Sequence, residues 1–412
     1  MDTVPLSPPL ILSGAAGTNF ISAGMPPDAC TPQWALEHPE VLDNLQRGYI
    51  HAGAQVLSAP TFLAHAAALS RYGLEDKVEE YNRALVTQTA QNAAGRAAVA
   101  AELAPIGLKL PPFGHTSFEE LVDIYARQVQ ACHEAGADLF LVETAMEISE
   151  ARAAVLAVKR VCDKPVWVTF TCDEEGRTLS GADVLAALIV MQGLGVAAFG
   201  INCCNMQVTA EQLARLAPYA HIPLIAKPSA GLPETVDGAT VYPTTPADFA
   251  IDAATLAHCG AVMFGGCCGT TPEHIAALKG AVEQIDFSTV VIPPCDEELI
   301  LCASEREARF LTADVDIGEE MECTPDLLED ILDAEDAGDG ALKIAIYSQD
   351  DLDIFVENQY AIEDALCICT DVPELLEGAL RAYHGRALWD GTCDLPDLFL
   401  QEMSVKYGLV VL

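Results

Sequence analysis

The chain has 412 residues, of which 51% are hydrophobic and 20% are charged, so it has enough apolar surface for two or three folded domains and too much for a disordered chain. It carries 61 acidic and 21 basic side chains, a formal net charge of −40, and this charge argues against nucleic acid or an anionic membrane surface as a partner. The N-terminus lacks the pattern of a signal peptide, and no apolar run approaches the length of about 18 residues that a membrane span needs, so we expect a cytoplasmic protein.

Short apolar runs alternate with amphipathic segments along the first 290 residues, and helix-start and helix-stop residues such as Ser117 and Gly136 separate them. Buried strands separated by helices predict a parallel sheet, and eight such units fit a closed (β/α)8 TIM barrel better than an open sheet. The predicted strands are Leu10–Gly14, Ala54–Ala59, Ala97–Ala101, Leu139–Glu143, Val166–Thr171, Ala197–Asn202, Pro223–Lys227 and Ala261–Gly265, and the helices between most of them include Val41–Ala52, Leu74–Ala98, Ser117–Ala135, Ser149–Val161, Gly181–Leu194, Thr209–Ala217, Pro246–His258 and Pro272–Ile285.

A smaller and more acidic α/β region follows the barrel. Pro293-Pro294 indicates a linker, so we predict a barrel over residues 1–290 and a second domain over residues 291–412. Residues 295–412 carry 30 acidic side chains against 6 basic ones. The acid-rich stretch Glu319–Asp339 favours a solvated helical face over a metal site. Further β/α alternation predicts strands at Leu342–Tyr347, Leu366–Thr370, Arg386–Asp390 and Leu409–Leu412, with helices at Asp351–Ala365, Val372–Tyr383 and Pro396–Tyr407.

Two cysteine-containing segments, Gly200–Asn205 and Gly265–Thr270, end the sixth and eighth predicted strands. Functional residues of a barrel gather at the carboxyl ends of its strands, and only one strand separates these two, so Cys203, Cys267 and Cys268 can converge on one ion. Adjacent residues of a regular strand point to opposite faces, so Cys267 and Cys268 can share an ion only if the strand breaks, which the flanking glycines permit. The alternative, that these cysteines are buried core residues, stays open on this evidence.

Three thiolates favour zinc and leave its fourth tetrahedral position open. A substrate thiol suits that position, because coordination deprotonates the thiol and the electron-rich ligand set leaves its sulfur nucleophilic. The chemistry we expect is therefore attack of a bound thiolate on an electrophilic methyl group. A zinc hydrolase is a weaker interpretation, because hydrolytic zinc prefers histidine and carboxylate ligands and the sequence offers no histidine pair at helical spacing.

At these residues the chain resembles the homocysteine S-methyltransferase family, which includes betaine-dependent enzymes and the N-terminal module of cobalamin-dependent methionine synthases. The two cysteine segments are similar to the family's two zinc-binding motifs. The resemblance covers about residues 5–288 and implies a zinc-dependent barrel enzyme that methylates homocysteine to methionine, with Cys203, Cys267 and Cys268 as its ligands. Supporting similarities lie at Gly14–Thr18, Thr61-Phe62, Val142–Thr144, Ser229–Pro233 and Tyr242-Pro243.

The resemblance also implies positions for the substrate. Glu143 matches the family's acidic contact to the substrate amino group, and a carboxylate at a strand end suits an ammonium; the alternative is a glutamate held in a salt bridge. Ser13, Thr61 and Ser229 lie at further substrate-binding positions. The family usually has Asp where this chain has Ser13 and Asn where it has Ser229, so we expect the zinc chemistry to be kept and leave the thiol acceptor open.

The second domain is similar, over Asp371–Leu388, to part of the pterin-binding barrel that follows the homocysteine module in methionine synthases. Its residues do not build a full folate site, so we interpret it as a truncated or accessory domain. The sequence has no Asp-x-His-x-x-Gly signature of a built-in corrinoid module. We therefore expect the methyl donor to be a free small molecule or a separate methyl-corrinoid protein. The alternative function is a non-catalytic zinc-binding subunit that docks such a corrinoid carrier.

Overall fold

A computed structural model describes residues 7–236, 239–296, 298–312, 314–338 and 340–412. Residues 1–6, which belong to the segment considered for a signal peptide, lie outside the described residues. Within the described ranges, every helix is too short or too polar to cross a membrane.

Eight parallel strands form the barrel in the sheet order β1-β10-β7-β6-β5-β4-β3-β2. A parallel bridge between Leu12 and Val56 joins the first strand to the second and closes the sheet. All eight predicted strands are confirmed, and an antiparallel hairpin that the sequence analysis missed, β8–β9, follows β7. The strands are Leu10–Ile11 (β1), Val56–Ala59 (β2), Ala98–Leu103 (β3), Leu139–Ala145 (β4), Val166–Phe170 (β5), Ala198–Asn202 (β6), Leu224–Lys227 (β7), Glu234–Val236 (β8), Ala239–Val241 (β9) and Ala261–Phe264 (β10).

Helices surround the barrel, and several of them, including Val78–Ala93 and Ile148–Val161, pack directly against its strands. Ser117 starts one of them with a capping box: its hydroxyl accepts from the Glu120 backbone N–H, and the Glu120 carboxylate accepts from the N–H of Ser117. The helix predicted over Pro246–His258 is divided in two at Asp252. The helices are Gly17–Ser22 (α1), Thr31–Glu37 (α2), Pro39–His51 (α3), Ala66–Leu69 (α4), Val78–Ala93 (α5), Phe118–Glu134 (α6), Ile148–Val161 (α7), Val184–Gly193 (α8), Met206–Leu216 (α9), Pro246–Ile251 (α10), Ala253–His258 (α11) and Pro272–Val282 (α12).

The C-terminal region forms a hairpin, β11–β12, and a five-stranded parallel sheet in the order β13-β14-β15-β16-β17. The prediction of a helical face for all of Glu319–Asp339 is wrong at its start, because Ile317–Glu322 is a strand. Among the described residues that strand pairs only with β14, so an edge position explains its exposed acidic side chains. The strands are Ile300–Ala303 (β11), Ala308–Leu311 (β12), Ile317–Glu322 (β13), Ala341–Ala345 (β14), Leu366–Cys369 (β15), Leu388–Trp389 (β16) and Val410–Val411 (β17), and the helices are Leu327–Ala337 (α13), Gln349–Asn358 (α14), Pro373–Ala382 (α15) and Asp397–Tyr407 (α16).

The two regions meet at a buried interface. Helix α8 is apolar on all sides, as a helix must be when it is covered on both faces: strand β6 lies on one side, and the β11–β12 hairpin and α16 lie on the other. The guanidinium of Arg152 on α7 is fully buried and donates to the carbonyls of Leu380 and Arg381 at the end of α15. The rings of Phe118 and Tyr407 lie 5.6 and 5.9 Å from the same guanidinium. The domain boundary near residue 290 stays a prediction.

Candidate metal centre

Three cysteines converge at the carboxyl end of the barrel. The sulfurs of Cys203, Cys267 and Cys268 all lie within 4.8 Å of one another, and Cys203 Sγ is 3.7 Å from Cys268 Sγ. Strands β6 and β10, which precede the two cysteine segments, are separated in the sheet by β7 alone. The arrangement expected from the sequence is therefore present, with all three side chains half-buried.

The backbone leaves regular strand geometry at both segments. Cys203 follows β6 with a φ of +60°, a left-handed conformation that is uncommon for a residue with a side chain, and its N–H donates to the carbonyl of Lys227 (3.2 Å). Gly269 has a φ of +77°. Gly266 is required for space instead, because a Cβ there would lie 2.4 Å from the hydroxyl oxygen of Thr270. The strand break that the sequence predicted therefore occurs. Gly269 permits it through its left-handed backbone conformation, and Gly266 permits it because it has no Cβ.

A set of hydrogen bonds fixes the double-cysteine loop against the first loop of the barrel. The Thr270 hydroxyl donates to the carbonyl of Cys267 (2.7 Å) and accepts from the N–H of Ala15 (3.1 Å). The Asn19 amide donates to the Thr270 carbonyl (2.9 Å), and the Gly269 N–H donates to the Thr18 hydroxyl (3.1 Å). Because these contacts hold the loop from its backbone, the sulfurs are positioned before any ligand arrives.

Asn202, the last residue of β6, connects the sulfurs to β4. Its side-chain amide donates to the Thr144 hydroxyl (2.7 Å) and to Cys267 Sγ (3.7 Å), and its carbonyl oxygen accepts from the Thr144 N–H (3.2 Å). Thr144 has a φ of +61°. The hydrogen bonds between Asn202 and Thr144 orient the Cys267 sulfur and hold the strained backbone of Thr144 next to Glu143. The two residues therefore support the metal-binding cysteines.

The donor set fits a tetrahedral thiophilic ion. Zinc–sulfur bonds of about 2.3 Å at tetrahedral angles place sulfurs roughly 3.8 Å apart, close to the 3.7 Å between Cys203 and Cys268. Hydrogen bonds from the Cys203 and Cys267 thiols lower the pKa of Cys268 to about 3, whereas the hydrogen bonds of Cys267 to the other two sulfurs, together with its burial, raise its pKa well above the usual range. The cluster by itself therefore favours a single thiolate, at Cys268, and all three sulfurs become thiolates only with a bound cation.

Glu143, predicted to contact a substrate ammonium, is ion-paired with Lys227 at the end of β7. Both side chains are buried, with exposed fractions of 8% for Glu143 and 3% for Lys227. Burial opposes the charge of Lys227, but the Glu143 and Glu102 carboxylates outweigh it and raise the pKa of Lys227. The sequence analysis missed Lys227 and Glu102. A charged residue within or ending an otherwise apolar strand was the signal that pointed to each.

The remaining predicted substrate residues, Ser13, Thr61 and Ser229, are buried, and the hydroxyls of two of them are hydrogen-bonded to neighbouring backbone. The Ser13 hydroxyl accepts from the Ser58 N–H (3.1 Å), and the fully buried Thr61 hydroxyl donates to the Glu102 carbonyl (2.8 Å). Ser229 is buried beside the first cysteine segment, where its N–H donates to the Cys204 carbonyl (2.8 Å), and the N–H of the next residue, Ala230, donates to the Cys268 carbonyl of the second segment (2.9 Å). Cys204 itself points away from the trio, with its sulfur 4.0 Å from that of Cys172.

Comparisons with known proteins agree with this geometry. The family model for homocysteine S-methyltransferase matches residues 10–282. Methionine synthase from Mycobacterium leprae is 32% identical over 301 residues, which cover 68% of this chain and 25% of that protein. Methionine synthase from Mycobacterium tuberculosis is 31% identical over 295 residues, covering 67% and 25%. The chain thus spans about a quarter of the length of these curated relatives.

A solved structure matches the same part of the chain. The homocysteine methyltransferase MmuM from Escherichia coli, in crystal structures of its oxidised and metallated forms, is 26% identical with a TM-score of 0.54. The match covers 66% of this chain and 95% of the other. The family match, residues 10–282, contains all eight barrel strands and both cysteine segments, and the chain belongs to the homocysteine S-methyltransferase family of enzymes.

Proposed function

We propose that this protein transfers a methyl group to the thiol of homocysteine, giving methionine, at a zinc ion held by Cys203, Cys267 and Cys268. The convergence of three sulfurs within 4.8 Å, in a barrel of the homocysteine S-methyltransferase family, is the observation that carries this proposal. The metallated form of the Escherichia coli relative supports a metal at this position.

The chain's own residues supply position and charge for the reaction. Bound zinc supplies a Lewis acid that keeps the acceptor thiol deprotonated near neutral pH. Hydrogen bonds of Gly269 and Thr270 hold the loop that carries Cys267 and Cys268, and three sulfur ligands would leave the fourth position of zinc for the acceptor thiol. The new S–CH3 bond forms as the donor–CH3 bond breaks, the electron pair of that bond stays with the donor, and the thiol proton is lost to solvent on binding.

The donor is proposed to be a free small molecule with a methyl group on a positively charged atom, or a separate methyl-corrinoid protein. The experiment is to load the full chain with zinc, add homocysteine, and follow methionine formation with a sulfonium, a quaternary ammonium and a methyl-corrinoid donor.

X-ray absorption supplies a readout that does not depend on the donor. Homocysteine should raise the zinc coordination from three sulfurs to four in the zinc-loaded protein. If zinc binds but no homocysteine sulfur joins it, the proposed function is wrong. If a corrinoid protein binds under those conditions, the docking subunit becomes the better interpretation.

A further inference from the structure

A layer of polar side chains crosses the barrel interior directly below the sulfurs. Along the strands, alternate residues face the interior, where Ala100 and Leu141 belong to one apolar cluster. The next inward residues toward the carboxyl ends are Glu102 on β3 and Glu143 on β4. Glu102 pairs in register with Leu141, two residues before Glu143, so the two carboxyl groups are close neighbours on one face.

Lys227 reaches this layer from the opposite side of the barrel and forms an ion pair with one of the two carboxylates. Its ammonium is paired with Glu143, and its carbonyl accepts from the N–H of Cys203, which ties the layer to the metal-binding segment. Ser58 lies between Glu102 and Ser13, because its N–H donates to the Ser13 hydroxyl while its side chain lies by the Glu102 carboxyl. Glu102 therefore lies next to the position where the family usually carries an aspartate.

This layer has one ammonium for two carboxyl groups. Lys227 is paired with Glu143, so among the described residues of the layer Glu102 has no cationic partner of its own. Burial, followed by the charge of Glu143, raises the pKa of Glu102 well above its usual range, so without a ligand this carboxyl holds a proton. A cationic group beside Glu102 stabilises the charged form of its carboxyl group, so the carboxyl group then releases its proton.

We propose that Glu102 selects an acceptor thiol that carries an ammonium group, taking over the contact that Ser13 cannot make, while Lys227 positions Glu143. This inference rests on the proposed function and names one feature of its substrate. Glu143 and Glu102 then form a pair of carboxyl groups. Lys227 is the cationic partner of Glu143, and the substrate ammonium is the cationic partner of Glu102.

The experiment uses three thiols that differ by one charged group. Homocysteine carries an ammonium and a carboxylate, 4-mercaptobutyrate carries only the carboxylate, and 3-mercaptopropylamine carries only the ammonium. Isothermal titration calorimetry on the zinc-loaded full chain should give a Kd for each of the two ammonium thiols at least about tenfold lower than for 4-mercaptobutyrate, as expected for a buried charge-assisted contact.

Glu102→Gln should reduce this preference to less than about threefold and leave the Kd for 4-mercaptobutyrate nearly unchanged, since the removed charge touches only the ammonium. Glu102→Asp should retain part of the preference. Glu150→Gln is the matched control: Glu150 is also buried, but it lies on α7 outside the barrel interior and accepts from the N–H groups of Ile106 and Gly107. This variant should keep the full preference, and zinc content should be equal in all three variants.

The outcomes separate the two proposals. Tighter binding of 4-mercaptobutyrate than of homocysteine by the unmodified protein overturns this inference, and it does so even if Glu102→Gln fails to fold. An unchanged preference in a folded Glu102→Gln protein overturns it as well. Failure of all three thiols to bind the zinc-loaded protein overturns the proposed function instead.

Discussion

Cysteines collect at the carboxyl ends of the strands in both parallel sheets, but the two sheets use them differently. In the barrel, three sulfurs from two segments converge. In the C-terminal sheet, Cys369 at the end of β15 and Cys393 after β16 have sulfurs 3.1 Å apart, and the nearest polar groups of Cys369 are the Tyr347 hydroxyl (3.3 Å) and a Glu320 oxygen (3.4 Å). Among the described residues, only the barrel assembles three metal-ligating side chains within 4.8 Å.

The two sheets differ in which side chains meet at their carboxyl ends. In a closed barrel the ends of non-adjacent strands approach a common axis, so β6 and β10 can direct side chains to one point across β7. In the open C-terminal sheet a side chain also reaches across one strand, since Glu320 on β13 contacts Cys369 past β14, but the described residues place no third thiol beside Cys369 and Cys393. The double-cysteine loop is also braced by hydrogen bonds to the first barrel loop. The barrel trio therefore fits a metal, whereas the C-terminal group is a pair of thiols beside a tyrosine hydroxyl and a carboxylate.

The largest expected effect separates the two cysteine groups. Cys268→Ala should remove one of three zinc ligands and weaken zinc binding by about a thousandfold, because the roughly 10–16 kcal/mol of a structural zinc site is shared among its ligands. Zinc content after gel filtration should fall from about one ion per chain to almost none. Cys369→Ala is the control and should keep its zinc. Equal zinc content in the two variants would contradict the assignment of the barrel trio.

Much of this centre follows from local sequence patterns. The glycine-flanked Cys267-Cys268 pair and Cys203 end apolar strands whose spacing predicts a barrel, and barrel geometry then brings their sulfurs together. The strands were predictable because each is a short apolar run between helices with clear end signals. Predicting the strands also predicted the positions of their carboxyl ends, where the functional residues of a barrel lie.

Other features depend on contacts between distant residues and were not predictable. The sequence around Glu143 does not show that its carboxylate forms an ion pair with Lys227, which lies 84 residues away. The strand at Ile317–Glu322 has the acidic composition of an exposed helix, and only its edge pairing with β14 reveals its conformation. The hairpin after β7, in contrast, was missed although its sequence signals it: the β-branched pairs Thr235-Val236 and Thr240-Val241 flank Asp237-Gly238, a dipeptide typical of hairpin turns.

The next expected effect concerns the interface between the two regions. Arg152→Met should lower the free energy of unfolding by about 3 kcal/mol, because it leaves the buried carbonyls of Leu380 and Arg381 without their charged donor. Urea unfolding followed by circular dichroism measures this change. Arg160→Met, on the same helix, removes only an exposed ion pair to Asp123 (2.8 Å) and should cost less than about 0.5 kcal/mol. A similar small loss for Arg152→Met would show that this interface contributes little.

A pH-dependent effect arises from His384, which lies in the C-terminal region against Phe118 of the barrel. Burial, followed by the opposing influences of Glu305 and Arg152, lowers the pKa of His384 to about 4. Between pH 6.5 and 4 the unfolded chain binds a proton that the folded protein does not, so this residue makes stability fall as pH falls through that window.

His384→Gln should remove this contribution, which amounts to about 2–3 kcal/mol between pH 7 and pH 4. The measurement is the urea midpoint of both proteins at several pH values in this range. The slope of stability against pH should be shallower in the variant. Parallel slopes would mean that His384 is protonated in the folded protein at mildly acidic pH.

The smallest expected effect tests whether the two regions unfold together. Ser117 and Ser348 each start a helix with a capping box, the first in the barrel and the second in the C-terminal region. Ser117→Ala and Ser348→Ala should each cost about 1 kcal/mol. Because buried Arg152 and apolar helix α8 connect the regions, we expect both variants to shift one common urea transition by similar amounts. A separate, earlier transition that moves only in Ser348→Ala would mean that residues 291–412 unfold on their own and that Arg152 does not couple them to the barrel.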